Sequence, residues 1–110
     1  MNIALLHKLR QQNIPSGASY DYLFDTYPAD AGWSYRELSS TYTGAVIKLR
    51  RSSDDNEKDF YFDSSHRLSI NSEDGSGTSI FTWVGAGGDA FCVTFYDQSG
   101  NGENLSQSTG

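Results

Sequence analysis

A chain of 110 residues, 36% hydrophobic and 14% aromatic, makes at most one small domain, which buries roughly two-thirds of its unfolded surface. Its formal net charge of −6 argues against sequence-independent nucleic-acid binding, which depends on neutralising phosphates with Lys and Arg. No apolar run approaches the ~20 residues of a membrane span, and Ile3 to Leu9 is too short and mixed for a signal-peptide core.

The single Cys92 cannot form an internal disulfide, so the chain reads as made and kept in a cytosol, or assembled there. Seven tyrosines, six phenylalanines and eleven glycines suggest short β segments packed by a few large side chains.

Met1 to Asn13 is helical in pattern. Ile3 with Leu6, and Leu5 with Leu9, fall at i,i+3 and i,i+4 spacings, while Lys8, Arg10 and Gln11 are left for water. Pro15 and Gly17 end it. A helix this short is marginal alone, so Ile3, Leu5, Leu6 and Leu9 are expected to bury in the chain's own domain or in a partner. Residues 1–15 are thus read as a docking segment, 16–19 as a linker and 20–110 as a β-rich module.

Tyr20 to Tyr27 fits either a turn of helix or an aromatic strand. Asp30 is placed to cap a short helix through Trp33, Arg36, Glu37 and Leu38. Ala45 to Arg51 alternates, with Ala45, Ile47 and Leu49 on one face and Val46, Lys48 and Arg50 on the other. Ser52 to Asn56 is turn chemistry, and Lys58 to Asp63 returns as a second strand. Together they predict a hairpin.

Leu68 to Ile70 reads as another short strand and Asn71 to Gly77 as a polar loop. Thr78 to Val84 reads as a short helix with Ile80, Phe81 and Val84 on one face, broken by Gly85, Gly87 and Gly88. The last strand is Phe91 to Tyr96, with Phe91, Val93 and Phe95 on one face and Cys92, Thr94 and Tyr96 on the other. It should pack against the Ala45–Asp63 hairpin.

The chemistry-bearing groups favour bland roles. Arg50 and Arg51 beside Asp54, Asp55, Glu57 and Asp59 read as hairpin ion pairs. Paired catalytic carboxylates would need a cleft and a buried acid, which a solvated turn does not supply. Asp97, Ser99, Asn101 and Gly102 occupy the spacing of a calcium-loop start, but position 12 is Ser108 and not a bidentate Glu. The loop is read as a structural turn of Asp97, Ser99, Gly100, Asn101 and Gly102, in which Asp97 and Asn101 bond backbone amides. Cys92 is read as a buried small hydrophobe, and His7 and His66 as isolated. No phosphate-binding loop, dinucleotide fingerprint or nucleophile elbow occurs, so no cofactor, metal or catalytic residue is expected.

Two stretches carry a resemblance: Arg36-Glu37-Leu38 through Arg51-Ser52-Ser53-Asp54, and Phe91-Cys92-Val93-Thr94-Phe95-Tyr96-Asp97-Gln98-Ser99-Gly100-Asn101-Gly102-Glu103-Asn104. Their order resembles the opening of the catalytic domain of fungal arabinofuranosidase B enzymes. It is more similar still to non-enzymatic versions in bacteriophage virion proteins and fibres, and the similar span runs from Tyr20 to Gln107.

The resemblance implies a mainly β fold, a partial concanavalin A-like jelly-roll sandwich with one or two short internal helices. That family's catalytic carboxylates lie downstream of the signature, in a part this chain does not contain, so no position here inherits them. The implied role is a structural, non-enzymatic virion protein, assembled in the host cytoplasm as part of a head or tail fibre or as a decoration subunit. Its partners would be other virion proteins and further copies of itself, a trimer among them. The competing reading is a carbohydrate-binding module that stacks glycans on Trp33, Tyr35 and Trp83.

Overall fold

The computed structural model describes residues 20–107. The expected N-terminal helix with Ile3, Leu5, Leu6 and Leu9, and the 16–19 linker, lie outside the described residues. In chain order the elements are α1 (Leu23–Thr26), β1 (Ile47–Arg51), β2 (Glu57–Phe60), α2 (Ile80–Val84), β3 (Ala90–Phe95) and β4 (Leu105–Ser106). The four strands form one antiparallel sheet in the order β2-β1-β3-β4. The domain is mainly β.

The hairpin forms where its residue pattern places it. Residues opposite one another in a ladder share a side of the sheet. On one side Ile47 lies opposite both Phe60 and Phe95. On the other, Lys48 faces Asp59, and Arg50 faces Glu57. These opposite-charge pairs each add a few tenths of a kcal/mol up to about 1, and a one-residue slip would bury them. Val46, expected beside Lys48, is fully buried; it precedes the first residue of β1, so the alternation begins only at Ile47.

The pairing of β1 with β3 changes register between Lys48 and Leu49, where Thr94 and Cys92 are the successive partners. Val93 is therefore an extra residue on β3, a bulge. It overturns the expected faces: Phe91 lies opposite Arg50 and Cys92 opposite Leu49, so Phe91 and Phe95 do not share a side. The Arg50 guanidinium sits 5.0 Å from the Phe91 ring centre. Cys92, expected to be buried, is exposed, on the stretch of β3 that precedes the Thr94 and Phe95 partners of β4. After β4 the Gln107 amide adds one further bond to this edge, donating to the Val93 carbonyl at 2.8 Å.

The main core is Val46, Ile47, Leu49, Phe60 and Trp83, with Phe62, Leu68, Ile80, Val84, Ala90 and Phe95 packed against it. Large side chains buried this way contribute about 1.5–3 kcal/mol each before entropy is counted. Trp83 comes from α2. Its ring meets Phe60 at 5.2 Å, and the Arg51 guanidinium lies 5.1 Å above it. Ser79 caps α2 by accepting from the Thr82 amide at 3.2 Å, and Gly85 ends it at φ +83°, a left-handed conformation glycine takes without strain. The inward side of α2 is Ile80, Trp83 and Val84; Phe81, expected inside, is 62% exposed.

A second, smaller cluster joins Leu23, Phe24 and Leu38. Tyr20 to Tyr27 contains one helical turn, α1, with no side-chain cap. It is held by packing and by the Phe24 amide, which donates to the Leu38 carbonyl at 2.7 Å. Two expected elements are absent. Asp30 to Leu38 is extended rather than helical, and Leu68 to Ile70 is not a strand. What pairs instead is a single bridge between Arg36 and Arg67.

Candidate functional site

Residues 30–38 are extended because the loop after β3 takes up their backbone groups. The Gln98 amide donates to the Gly32 carbonyl at 2.7 Å. Its side-chain Nε2 donates to the carbonyls of Ser34 at 3.0 Å and Arg36 at 2.9 Å, and its Oε1 accepts from the Leu38 amide at 2.8 Å. One side chain thus acts as a length of strand, bonding alternate residues of an extended segment. A helix there would need the same groups for itself.

Asp97 completes the clamp. Its Oδ1 accepts from the amides of Gly32 at 2.8 Å and Ser99 at 2.9 Å. Its Oδ2 accepts from the Ser99 hydroxyl at 2.8 Å and the Glu103 amide at 3.1 Å. Asp97 and Gln98 are 2% and 1% exposed. Burial works to raise the Asp97 carboxyl, but the donors from Ser99, Gly32 and Glu103 outweigh it and hold it below the usual carboxylate range. Both of its oxygens are directed at protein donors.

Asn101 differs from its expected role: its Nδ2 donates to the Asp30 carbonyl at 2.8 Å. The Ser99 hydroxyl reaches the same carbonyl at 2.9 Å. Gly100 and Gly102 stand at φ +89° and +76°. The turn is thus bonded to a distant segment as well as to itself. Gln98 was not singled out from the sequence, although it is the centre of the arrangement. Its position between Asp97 and Ser99 reads as loop polarity.

The proposed sugar platform is not brought together. Trp83 is buried in the core at 6% exposure and presents no open face. Trp33 and Tyr35 remain at the surface. The Trp33 indole donates to the Glu103 carbonyl at 2.9 Å, and the Tyr35 ring stacks on Phe95 at 5.4 Å. The acidic turn is occupied by pairing: Arg51 holds Asp54 at 2.7 Å and Arg50 holds Asp55 at 2.6 Å. The Arg51 hydrogen bond pulls the Asp54 carboxyl down to about 2.

His66, taken from the sequence as isolated, is surrounded. Its Nδ1 is bonded to Glu37 Oε2 at 2.7 Å, and its ring stacks on Tyr20 at 4.3 Å. The Tyr22 ring meets it edge-on at 5.6 Å, and its backbone is at φ +63°. Arg36 lies 5.5 Å over Tyr20. A carboxylate that orients an imidazole can hold or pass a proton. No sequence spacing announces the group, since His66 and Glu37 meet beside the Arg36–Arg67 bridge and Tyr20 joins them by donating its hydroxyl to the Glu37 carbonyl at 2.7 Å. Among the described residues, no group of three or more His, Cys, Asp and Glu is placed to hold a metal ion.

No family model matches the sequence, and comparisons with curated proteins and with solved structures find no match.

Proposed function

We propose that this chain is a structural, non-enzymatic bacteriophage virion protein, part of a head or tail fibre or a decoration subunit, acting through assembly with other virion proteins and copies of itself. The observation that carries the reading is the amount of large apolar surface left open. Tyr35, Ile70 and Phe81 are each 62% exposed, and Ile70 and Phe81 adjoin through a backbone bond of 3.1 Å. Grouped exposed apolar side chains mark interaction surfaces, and the edge of β3 beyond β4 is a second place for another chain to pair.

The finer fold reading, the opening of a concanavalin A-like jelly roll, rests on the sequence resemblance of the Arg36–Asp54 and Phe91–Asn104 stretches. Light scattering on the purified chain tests assembly, together with binding to purified virion proteins. Oligomers or complexes that Ile70→Asp and Phe81→Asp abolish would support the proposal. A folded monomer without affinity for any virion protein would defeat it.

Carbohydrate binding is the second reading, favoured by Trp33 and Tyr35, whose rings are fixed by Glu103 and Phe95 yet open to solvent. Glycan-array binding that Tyr35→Ala removes would support it in place of assembly.

A further inference from the structure

The Arg36–Arg67 bridge is an antiparallel contact flanked by two backbone bonds: the Glu37 amide to the His66 carbonyl at 2.9 Å, and the Leu68 amide to the Tyr35 carbonyl at 2.6 Å. That pattern makes Arg36 and Arg67 a non-hydrogen-bonded pair, the closer of the two antiparallel pair types, with Cα atoms about 4.5 Å apart and side chains on the same side. Like charges directly opposite are destabilising, so an arginine pair at this position needs a reason.

The other basic residues of the sheet are differently placed. Arg50, Arg51 and Lys58 are ion-paired at 2.6–2.7 Å with Asp55, Asp54 and Asp74, and Lys48 lies across the ladder from Asp59. Among the described residues Arg36 has no ion-pair partner, and Arg67 has only a long one, to Asp63. Arg67 is 66% exposed and its Nε is 3.8 Å from Asp63, too far for a hydrogen bond. The Arg36 guanidinium carbon lies 5.5 Å from the Tyr20 ring centre, a cation–π contact that forms no hydrogen bond to its N–H groups. Among the described residues neither guanidinium donates a hydrogen bond. Glu37, the nearest carboxylate in sequence to Arg36, is bonded to His66.

We infer that Arg36 and Arg67 form a two-armed recognition point for a carboxylate, supplied by an acidic side chain of a protein partner. Guanidinium groups take carboxylate oxygens in bidentate fashion, and a carboxylate between the two would replace their repulsion with two charge-assisted contacts. The net charge of −6 keeps acidic molecules away from most of the surface, so a local arginine pair selects where one can approach. The site stands on the bridge geometry; only the protein carrier of the carboxylate rests on the assembly reading.

The probe is glutarate, titrated into the 110-residue chain at constant ionic strength while the arginine Nε–Hε resonances are followed by NMR. Saturable shifts at Arg36 and Arg67 are expected. Arg67→Gln should weaken binding about tenfold, as loss of one charge-assisted arm implies, and Arg50→Gln should leave it unchanged. Shifts reproduced by chloride alone would overturn the proposal, as would binding retained in Arg67→Gln. Inorganic phosphate forms a second arm: saturation by phosphate without glutarate overturns the carboxylate assignment. Because glutarate needs no partner protein, its binding can succeed where the assembly reading fails, and the reverse.

Discussion

The side-chain carbonyl of Gln98 accepts the Leu38 amide at 2.8 Å across a separation of 60 residues, and the same side chain's nitrogen bonds the carbonyls of Ser34 and Arg36. Three backbone groups of the segment are thereby tied to the loop after β3 by one side-chain amide, beside the bonds of Asp97, Ser99 and Asn101. Gln98→Ala would leave two carbonyls and one N–H without their partner in a buried setting. Each such loss costs about 1–3 kcal/mol, partly recovered where water enters. The expected destabilisation is about 3 kcal/mol by urea unfolding. Gln98→Glu, which keeps the size but removes the donors facing Ser34 and Arg36, should cost at least as much.

Acid should loosen the same attachment. The Asp97, Asp63, Asp54 and Asp74 carboxyls all lie below the usual carboxylate range in the folded chain. A folded value below the unfolded one stabilises the protein above the unfolded value of about 4, and that stabilisation is lost as pH falls through the folded value. Stability should therefore be level from pH 7 to about 5 as far as these groups are concerned, then fall steadily toward pH 2. Asp97→Asn should lower stability at pH 7 and flatten the acid limb, measured by thermal unfolding across pH.

Gly32 lies against the Phe24 ring of α1. A Cβ there would overlap the Phe24 ring, which is itself buried. Gly32→Ala should destabilise by about 1–3 kcal/mol, the usual cost of overpacking, and near-ultraviolet circular dichroism should report the displaced aromatic environment.

Helix α2 offers a paired comparison. Trp83→Ala empties a buried site against Phe60 and Arg51 and should cost about 3–5 kcal/mol. Phe81→Ala, two residues away on the open side, should stay within about 0.5 kcal/mol. Denaturant midpoints of the two variants decide which side of the helix faces the core.

The exposed thiol gives a simpler check. Cys92 on the β3 edge should react with a thiol reagent in the native protein without denaturant, more slowly than a free cysteine because partial burial pushes its thiol up.

What could be read from the sequence follows the range of the interactions. The β1–β2 hairpin was legible because its alternation of apolar and charged residues and its Ser52–Asn56 turn are local signals. The inward side of α2 is half legible: Ile80 and Val84 are placed, but five residues are too few for the pattern to show that Trp83, and not Phe81 on the opposite side, completes it. The bulge at Val93 leaves no mark in a run of β-formers, so the faces of β3 and the exposure of Cys92 were missed. The extended segment of residues 30–38 was read as helix because Asp30 looks like a cap. Its real determinants, Asp97 and Gln98, are more than sixty residues away and resemble any polar turn. The His66 group stayed hidden for the same reason.

The distance spanned by Gln98 also sets an order of events. While the chain emerges from a ribosome, the Gly32, Ser34 and Arg36 carbonyls and the Leu38 amide have no lasting partner until Gln98 has been made and β3 has joined β1. The β1–β2 hairpin and the Leu23–Phe24–Leu38 cluster can close from local contacts alone, whereas the Gln98 clamp over residues 32–38 must wait for nearly the whole domain. Long-range closure of this kind slows folding. The segment from Gly32 to Leu38, made long before its clamp, is then among the last to be secured.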